Sequence, residues 1–128
     1  MKDFIEYSFF KFKLLPGDKL RLTSYRGNER EVTVPGRVMH YTVTEIGASA
    51  FSFNGGVTRI TLPETVTEIE AWCFSECTGL TRINIPAGVT ELPYRAFDDC
   101  SNLETVILEN KSCVIHPKAF DDMPPEII

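Results

Sequence analysis

The chain has 128 residues, the length of one domain. At 43% hydrophobic and 24% charged it has the composition of a folded protein, not a disordered one, and no apolar run approaches the ~20 residues of a membrane-crossing helix. A net charge of −5 argues against sequence-independent binding to nucleic acid, where a basic surface supplies the affinity.

The charge is unevenly spread. Residues 1–38 carry eight Lys/Arg and five Asp/Glu, net +3, whereas residues 39–128 carry five and thirteen, net −8. Met1-Lys2 is followed by Asp3 and Glu6, without the apolar stretch and small-residue cleavage site of a secretory signal. Two locations therefore stay open: the cytoplasm if the chain is complete, and the cell surface or medium if it is part of a longer protein. Met1–Ser8 reads equally as a short helix or an extended lead-in.

Phe10, Phe12 and Leu14 then alternate with Lys11 and Lys13, and Leu20 and Leu22 with Lys19, Arg21 and Thr23. Pro16-Gly17-Asp18 is the turn between them, and Arg26-Gly27-Asn28 is a second turn before Val32-Thr33-Val34. This predicts an antiparallel hairpin over residues 1–30 that caps the strand edge and apolar interior of the next segment of the chain.

From residue 31 a period of 23 residues takes over. Phe51, Phe74, Phe97 and Phe120 keep that step, as do Ile46, Ile69, Leu92 and Ile115, and Ala50, Cys73, Ala96 and Ala119. Val57, Leu80 and Leu103 keep it too, with Ile60, Ile83 and Val106, Leu62, Ile85 and Leu108, Pro63 and Pro86, and Cys77 and Cys100. So many registers on one period predict a solenoid. In the unit L-x-x-I-x-I-P-x-x-V-T-E-I-x-x-x-A-F-x-x-C, I-x-I alternates as a half-buried strand should, and proline, lacking an N–H, stops it. V-T-E-I is a second short strand. A-F-x-x-C fits one helical or 3₁₀ turn.

These motifs resemble the BspA-type leucine-rich repeat family. The marks are T-R-I-N-I-P (81–86), V-T-E-I (43–46 and 66–69) and A-F-D-D-C (96–100), and the resemblance covers about residues 30–123. It implies a right-handed parallel coil, mostly β, with a concave sheet and a convex side of short strands and turns. It also implies bacterial origin, and adhesion or display at the cell surface. Two features depart from the pattern. Pro35 and Pro63 are 28 residues apart, which places a five-residue insertion in Gly36–Thr42. The glycine after V-T-x-I is kept only at Gly47; Glu70, Pro93 and His116 replace it.

The expected organisation is one compact domain: the hairpin cap at 1–30, then about four coils at 31–128, the last truncated. Pro124-Pro125 breaks the repeat, and Glu126 falls where Leu80 and Leu103 predict an apolar residue. No C-terminal cap is evident. That end is a candidate surface for homo-oligomers, by edge pairing or head to tail.

With I-x-I facing inward, the residues facing out of the concave sheet are Glu31, Thr33, Arg59, Thr61, Arg82, Asn84, Thr105 and Ile107. Arg59 and Arg82 stand side by side and present N–H donors toward a carboxylate-bearing protein ligand; Glu31 and Glu104 partly balance them. Four strands of ~5 residues give roughly 300 Å², against about 800 Å² per partner in a standard interface, so this face alone predicts a weak contact.

Other chemistry reads as structural. Cys73, Cys77 and Cys100 occupy repeat slots and are expected as buried thiols, without a disulfide. Cys113 and His116, three apart, suggest a thiol nucleophile, but both stand where the repeat puts Thr90 and Pro93. Asp98, Asp99, Asp121 and Asp122, after Ser75-Glu76, suggest a cation site; solvated turns are the commoner use of Asp. Glu45, Glu68 and Glu91 form a tolerable outer stack, and His40 belongs to the insertion. The expectation is a non-catalytic protein-binding module without a cofactor or metal, without nucleic-acid partner or membrane insertion.

Overall fold

A computed structural model describes residues 3–121 and 124–128. The cap comes first. β1 (Phe4–Tyr7), β2 (Phe10–Leu15) and β3 (Lys19–Tyr25) form an antiparallel meander. Residues 4–7 are therefore extended; residues 1–2 lie outside the described part. Phe10, Phe12, Leu20, Leu22 and Tyr25 are buried, as the alternation requires.

β3 does not end in a free edge. It pairs in parallel with β6 (Tyr41–Ile46), and β6 pairs in parallel with β8 (Glu68–Ile69). The first two V-T-E-I pieces thus belong to a second sheet that starts in the cap and ends at β8; the next two form a separate pair on the same side of the coils, β10 (Glu91–Leu92) with β12 (Val114–Ile115). The five-residue insertion is a small hairpin. β5 (Arg37–Val38) folds back on β6 through Met39-His40, with Met39 in the left-handed region at φ 56°.

The I-x-I strands form the first sheet: β4 (Glu31–Thr33), β7 (Arg59–Thr61), β9 (Arg82–Ile85), β11 (Thr105–Leu108) and β13 (Glu126–Ile127), all parallel. The last of these is a fifth strand beyond the truncated fourth coil expected. Glu126 pairs with Thr105 and Ile127 with Val106, so the final coil is 21 residues long. That two-residue shortening explains why the period of 23 placed Glu126 in an apolar slot.

The third side differs from the helical turn that A-F-x-x-C suggests. No helix forms among the described residues. Alternate N–H groups do two jobs there. Those of Ser75, Cys77, Ala96 and Asp98 bond three residues back, closing single turns, whereas those of Phe51, Phe53, Phe74, Glu76 and Phe97 bond carbonyls of the next coil. A helix would need all of them. Ser49, Trp72 and Arg95, and again Phe53, Glu76 and Asp99, have φ between 51° and 66° and break the helical path twice per coil.

The core lies between these three sides. An aromatic ladder runs from the cap through the coils: Phe10–Tyr25 at 5.1 Å, Tyr25–Phe51 and Phe51–Phe74 at 5.6 Å, Phe74–Phe97 at 5.0 Å and Phe97–Phe120 at 5.2 Å between ring centres. The thiols of Cys77 and Cys100 donate to the carbonyls of Phe51 and Phe74, each at 3.0 Å, and the Ser52 and Ser75 hydroxyls pair at 2.7 Å. All four cysteines are free; Cys73, Cys77 and Cys100 are buried.

Candidate binding face

The first sheet turns two columns of side chains outward. One runs Glu31, Arg59, Arg82, Thr105, Glu126, each directly opposite the next on the neighbouring strand. The other holds Thr33 opposite Thr61 and Asn84 opposite Ile107. All eight residues expected on this face are therefore on it. Five of them, Arg59, Thr61, Arg82, Asn84 and Ile107, line a shallow hollow of about 230 Å³. Glu31, Thr33 and Thr105 lie outside it.

The two arginines differ. Arg59 is exposed and has Glu31 at 3.9 Å, a loose ion pair. Arg82 is half-buried and has no carboxylate within 4.0 Å among the described residues. Like charges opposite each other on a sheet repel, and an anionic group laid across both would relieve that.

Asn84 has a different task. Its side-chain oxygen accepts from the Leu62 N–H at 2.7 Å, and its amide donates to the Leu62 carbonyl at 3.0 Å and to Glu109 at 3.1 Å. Backbone pairing of β7 with β9 covers only Arg59–Arg82 and Ile60–Ile83. The Asn84 amide thus stands in for the next rung, leaving little of it for a ligand.

Elsewhere the candidate chemistry is not assembled. The Cys113 thiol has a long contact, 3.9 Å, to the Val114 carbonyl, while His116 accepts the Lys118 N–H on Nδ1 at 3.0 Å and sets its ring edge-on to Tyr94. No hydrogen bond joins Cys113 to His116. Burial pushes the Cys113 thiol up and the Cys73 thiol well up; Cys100 is raised by its contact with the Cys77 thiol and by burial. None is poised as a thiolate. Asp98, Asp99 and Asp121 do come together, within 4.8 Å, but as links between turns: Asp121 accepts the Asp99 N–H at 2.9 Å and Asp98 takes Arg95 at 2.8 Å. Burial raises the Asp121 carboxyl above its ordinary value. Asp122 lies outside the described residues. His40 is an exposed loop residue, 3.9 Å from Asp18.

Two arrangements were not readable in the sequence. Arg21 Nε reaches both Glu45 at 3.0 Å and Glu70 at 3.2 Å, tying the cap to the first two Glu-bearing coils. Only the cap's register against the solenoid reveals it. The second is a surface stack of Trp72, edge-on to Tyr94, with the Arg95 guanidinium over both rings. The offset by one residue between Tyr94 and Trp72 in the repeat hides it.

Three-sided parallel coils, with one strand sheet presenting polar side chains outward, define a leucine-rich-repeat solenoid. The BspA type leucine rich repeat region matches residues 32–126 in six copies, and the chain belongs to that family. Solved structures agree. A leucine-rich repeat protein of T. pallidum is 30% identical, with a TM-score of 0.73 over 78% of this chain and 50% of that one. A leucine rich cell surface protein of Faecalibacterium prausnitzii is 24% identical, with a TM-score of 0.72 over 91% of this chain and 43% of that one. A leucine-rich repeat protein of Bacteroides capillosus shares the fold at 17% identity, with a TM-score of 0.80 over 99% of both chains. The chain spans about half or less of the first two. No curated protein matches it.

Proposed function

We propose that this chain is a non-catalytic protein-interaction module that holds an acidic segment of a protein ligand across Arg59 and Arg82, on the outer face of the first sheet. Leucine-rich-repeat coils are typically interaction scaffolds rather than catalysts, which favours binding over chemistry. The observation that carries the reading is Arg82: a half-buried guanidinium beside a second arginine, with no carboxylate in ion-pair reach among the described residues. The hollow beside it offers Thr61 and Ile107 as neutral neighbours. The strands of this sheet span only roughly 250 Å², so useful affinity requires contacts on the adjoining edges as well. The setting proposed is adhesin-like, at a bacterial surface, the location in the name of the F. prausnitzii neighbour.

An array of acidic, neutral and basic peptides tests the ligand chemistry. The native chain should retain the acidic set, and the Arg59→Glu, Arg82→Glu double variant should lose it while melting at an unchanged temperature. Equal retention of the three sets, or retention unaffected by the double substitution, rejects the reading.

A further inference from the structure

The outer face of the second sheet carries its own charge pattern. Phe4, Lys13, Arg21, Glu45 and Glu68 stand directly opposite one another on β1, β2, β3, β6 and β8. The column therefore reads plus, plus, minus, minus. Within the chain this is unfavourable twice, because Lys13 faces Arg21 and Glu45 faces Glu68. Arg21 is satisfied by Glu45 and Glu70. Lys13 and Glu68 are exposed and have no ion pair among the described residues.

A plus-plus-minus-minus column is complementary to itself when reversed. We propose that this face pairs two copies of the chain about a two-fold axis parallel to the strands and running between β3 and β6. That axis turns the partner's copy of this sheet to face its own and reverses strand order. Lys13 then lies over the partner's Glu68, and Arg21 over the partner's Glu45, with both contacts repeated on the other side. Packed sheets stand about 10 Å apart, a gap that two long charged side chains bridge. Such an interface is isologous and closes at two chains. The other aligned packing, about an in-plane two-fold with the axis across the strands, lays each charge over its own copy and is repelled.

The face is small. The strands that form it cover roughly 400 Å², half of what a standard stable partner buries, so the dimer is a transient one. Its partner specificity comes from charge register more than from area. Each chain carries −5 overall, which opposes association. About 0.1 M salt screens that repulsion beyond about 10 Å and leaves the facing pairs in force; 1 M salt weakens the pairs too.

Sedimentation equilibrium on the whole chain, from micromolar to millimolar, tests this. The mass should rise from 14.5 kDa toward twice that value and stop there, more readily in about 0.1 M than in 1 M salt. Lys13→Glu alone and Glu68→Lys alone should each weaken self-association about tenfold, since each turns two facing pairs from attraction to repulsion. An equimolar mixture of the two variants should associate again, as one chain of each, because every facing pair is then of opposite sign. Both residues are exposed, and circular dichroism checks that the variants fold. A constant 14.5 kDa mass, growth past two chains, single variants that dimerise like the native chain, or a mixture that does not recover would each overturn the proposal. Arg59 and Arg82 lie on the other sheet, so their double substitution touches none of the facing pairs; in about 0.1 M salt, where the added net charge is screened beyond about 10 Å, it should leave dimerisation in place, which separates the two readings.

Discussion

Asn84 illustrates how a side chain can look like a ligand contact and serve as backbone. It faces outward between the buried Ile83 and Ile85, as the alternation requires. Its amide nevertheless completes the rung that β7 and β9 leave open at Leu62. Replacing it by alanine removes both bonds and leaves a partly buried N–H and C=O without partners. Asn84→Ala should therefore destabilise the fold by about 1–3 kcal/mol, read as a lower urea midpoint at an unchanged m-value. Asn84→Asp keeps the acceptor, loses the donors and sets a charge beside Glu109, so it should cost at least as much. A midpoint unmoved by either change would mean that water satisfies Leu62 equally well. The Arg59 and Arg82 side chains, by contrast, make no hydrogen bond to backbone among the described residues, so the proposed contact with a ligand would break no rung of the sheet.

At the scale of elements, the turn side is the least expected part. Its segments are held by bonds to the next coil at alternate residues, and the chain reaches that geometry by placing two residues per coil in the left-handed region. Glycine adopts that conformation freely and Asn and Asp with less difficulty than most; for other L residues it costs roughly 1–2 kcal/mol each. Phe53 is the most exposed large apolar residue among these, at 76%, and its φ is 66°. Its side chain contributes little burial to offset the strain. Phe53→Gly should thus raise stability by up to about 1 kcal/mol, although glycine substitutions elsewhere lower it. Thermal melts would decide this, and a lowered melting temperature would show that the exposed ring is held by contacts worth more than the strain. The opposite constraint acts at Gly79, where a Cβ would run into the Gly55 carbonyl of the preceding coil.

For the whole molecule, cap and coils share one core. Leu20 and Leu22 are fully buried, β3 lies in the same sheet as β6 and β8, and the aromatic ladder passes from Phe10 and Tyr25 into Phe51 without a gap. The cap is therefore expected to unfold with the solenoid and not before it. Leu20→Ala, in the cap, should cost about 2–5 kcal/mol, the same range as Leu80→Ala in a middle coil, with one transition in each case. Two transitions, or a cap substitution that leaves the main midpoint in place, would make the cap a separate unit. Such continuity also explains how a small domain manages with sheets of short strands: no coil buries its own apolar face, so every coil and the cap must be present together.

The repeat period carried the fold because each apolar slot recurs at 23 residues and each coil meets its neighbours in the same way. The two strand sets, the buried thiols, the aromatic ladder and the outward-facing residues of the first sheet are legible in the sequence for that reason. The insertion could be placed but not shaped: its hairpin depends on Met39-His40 turning against β6. Three features were decided only by tertiary structure. The turns replaced a helix because their N–H groups find carbonyls a coil away, which local pattern cannot reveal. The last coil resumed after Pro124-Pro125 at a step of 21 because pairing with β11 outweighed the period. The cap joined the second sheet in a register that brings Lys13 and Arg21 into one column with Glu45 and Glu68. Periodicity determines which residues are inside. Contacts between segments that do not share the period, as the cap and the coils do not, are settled only when the chain packs.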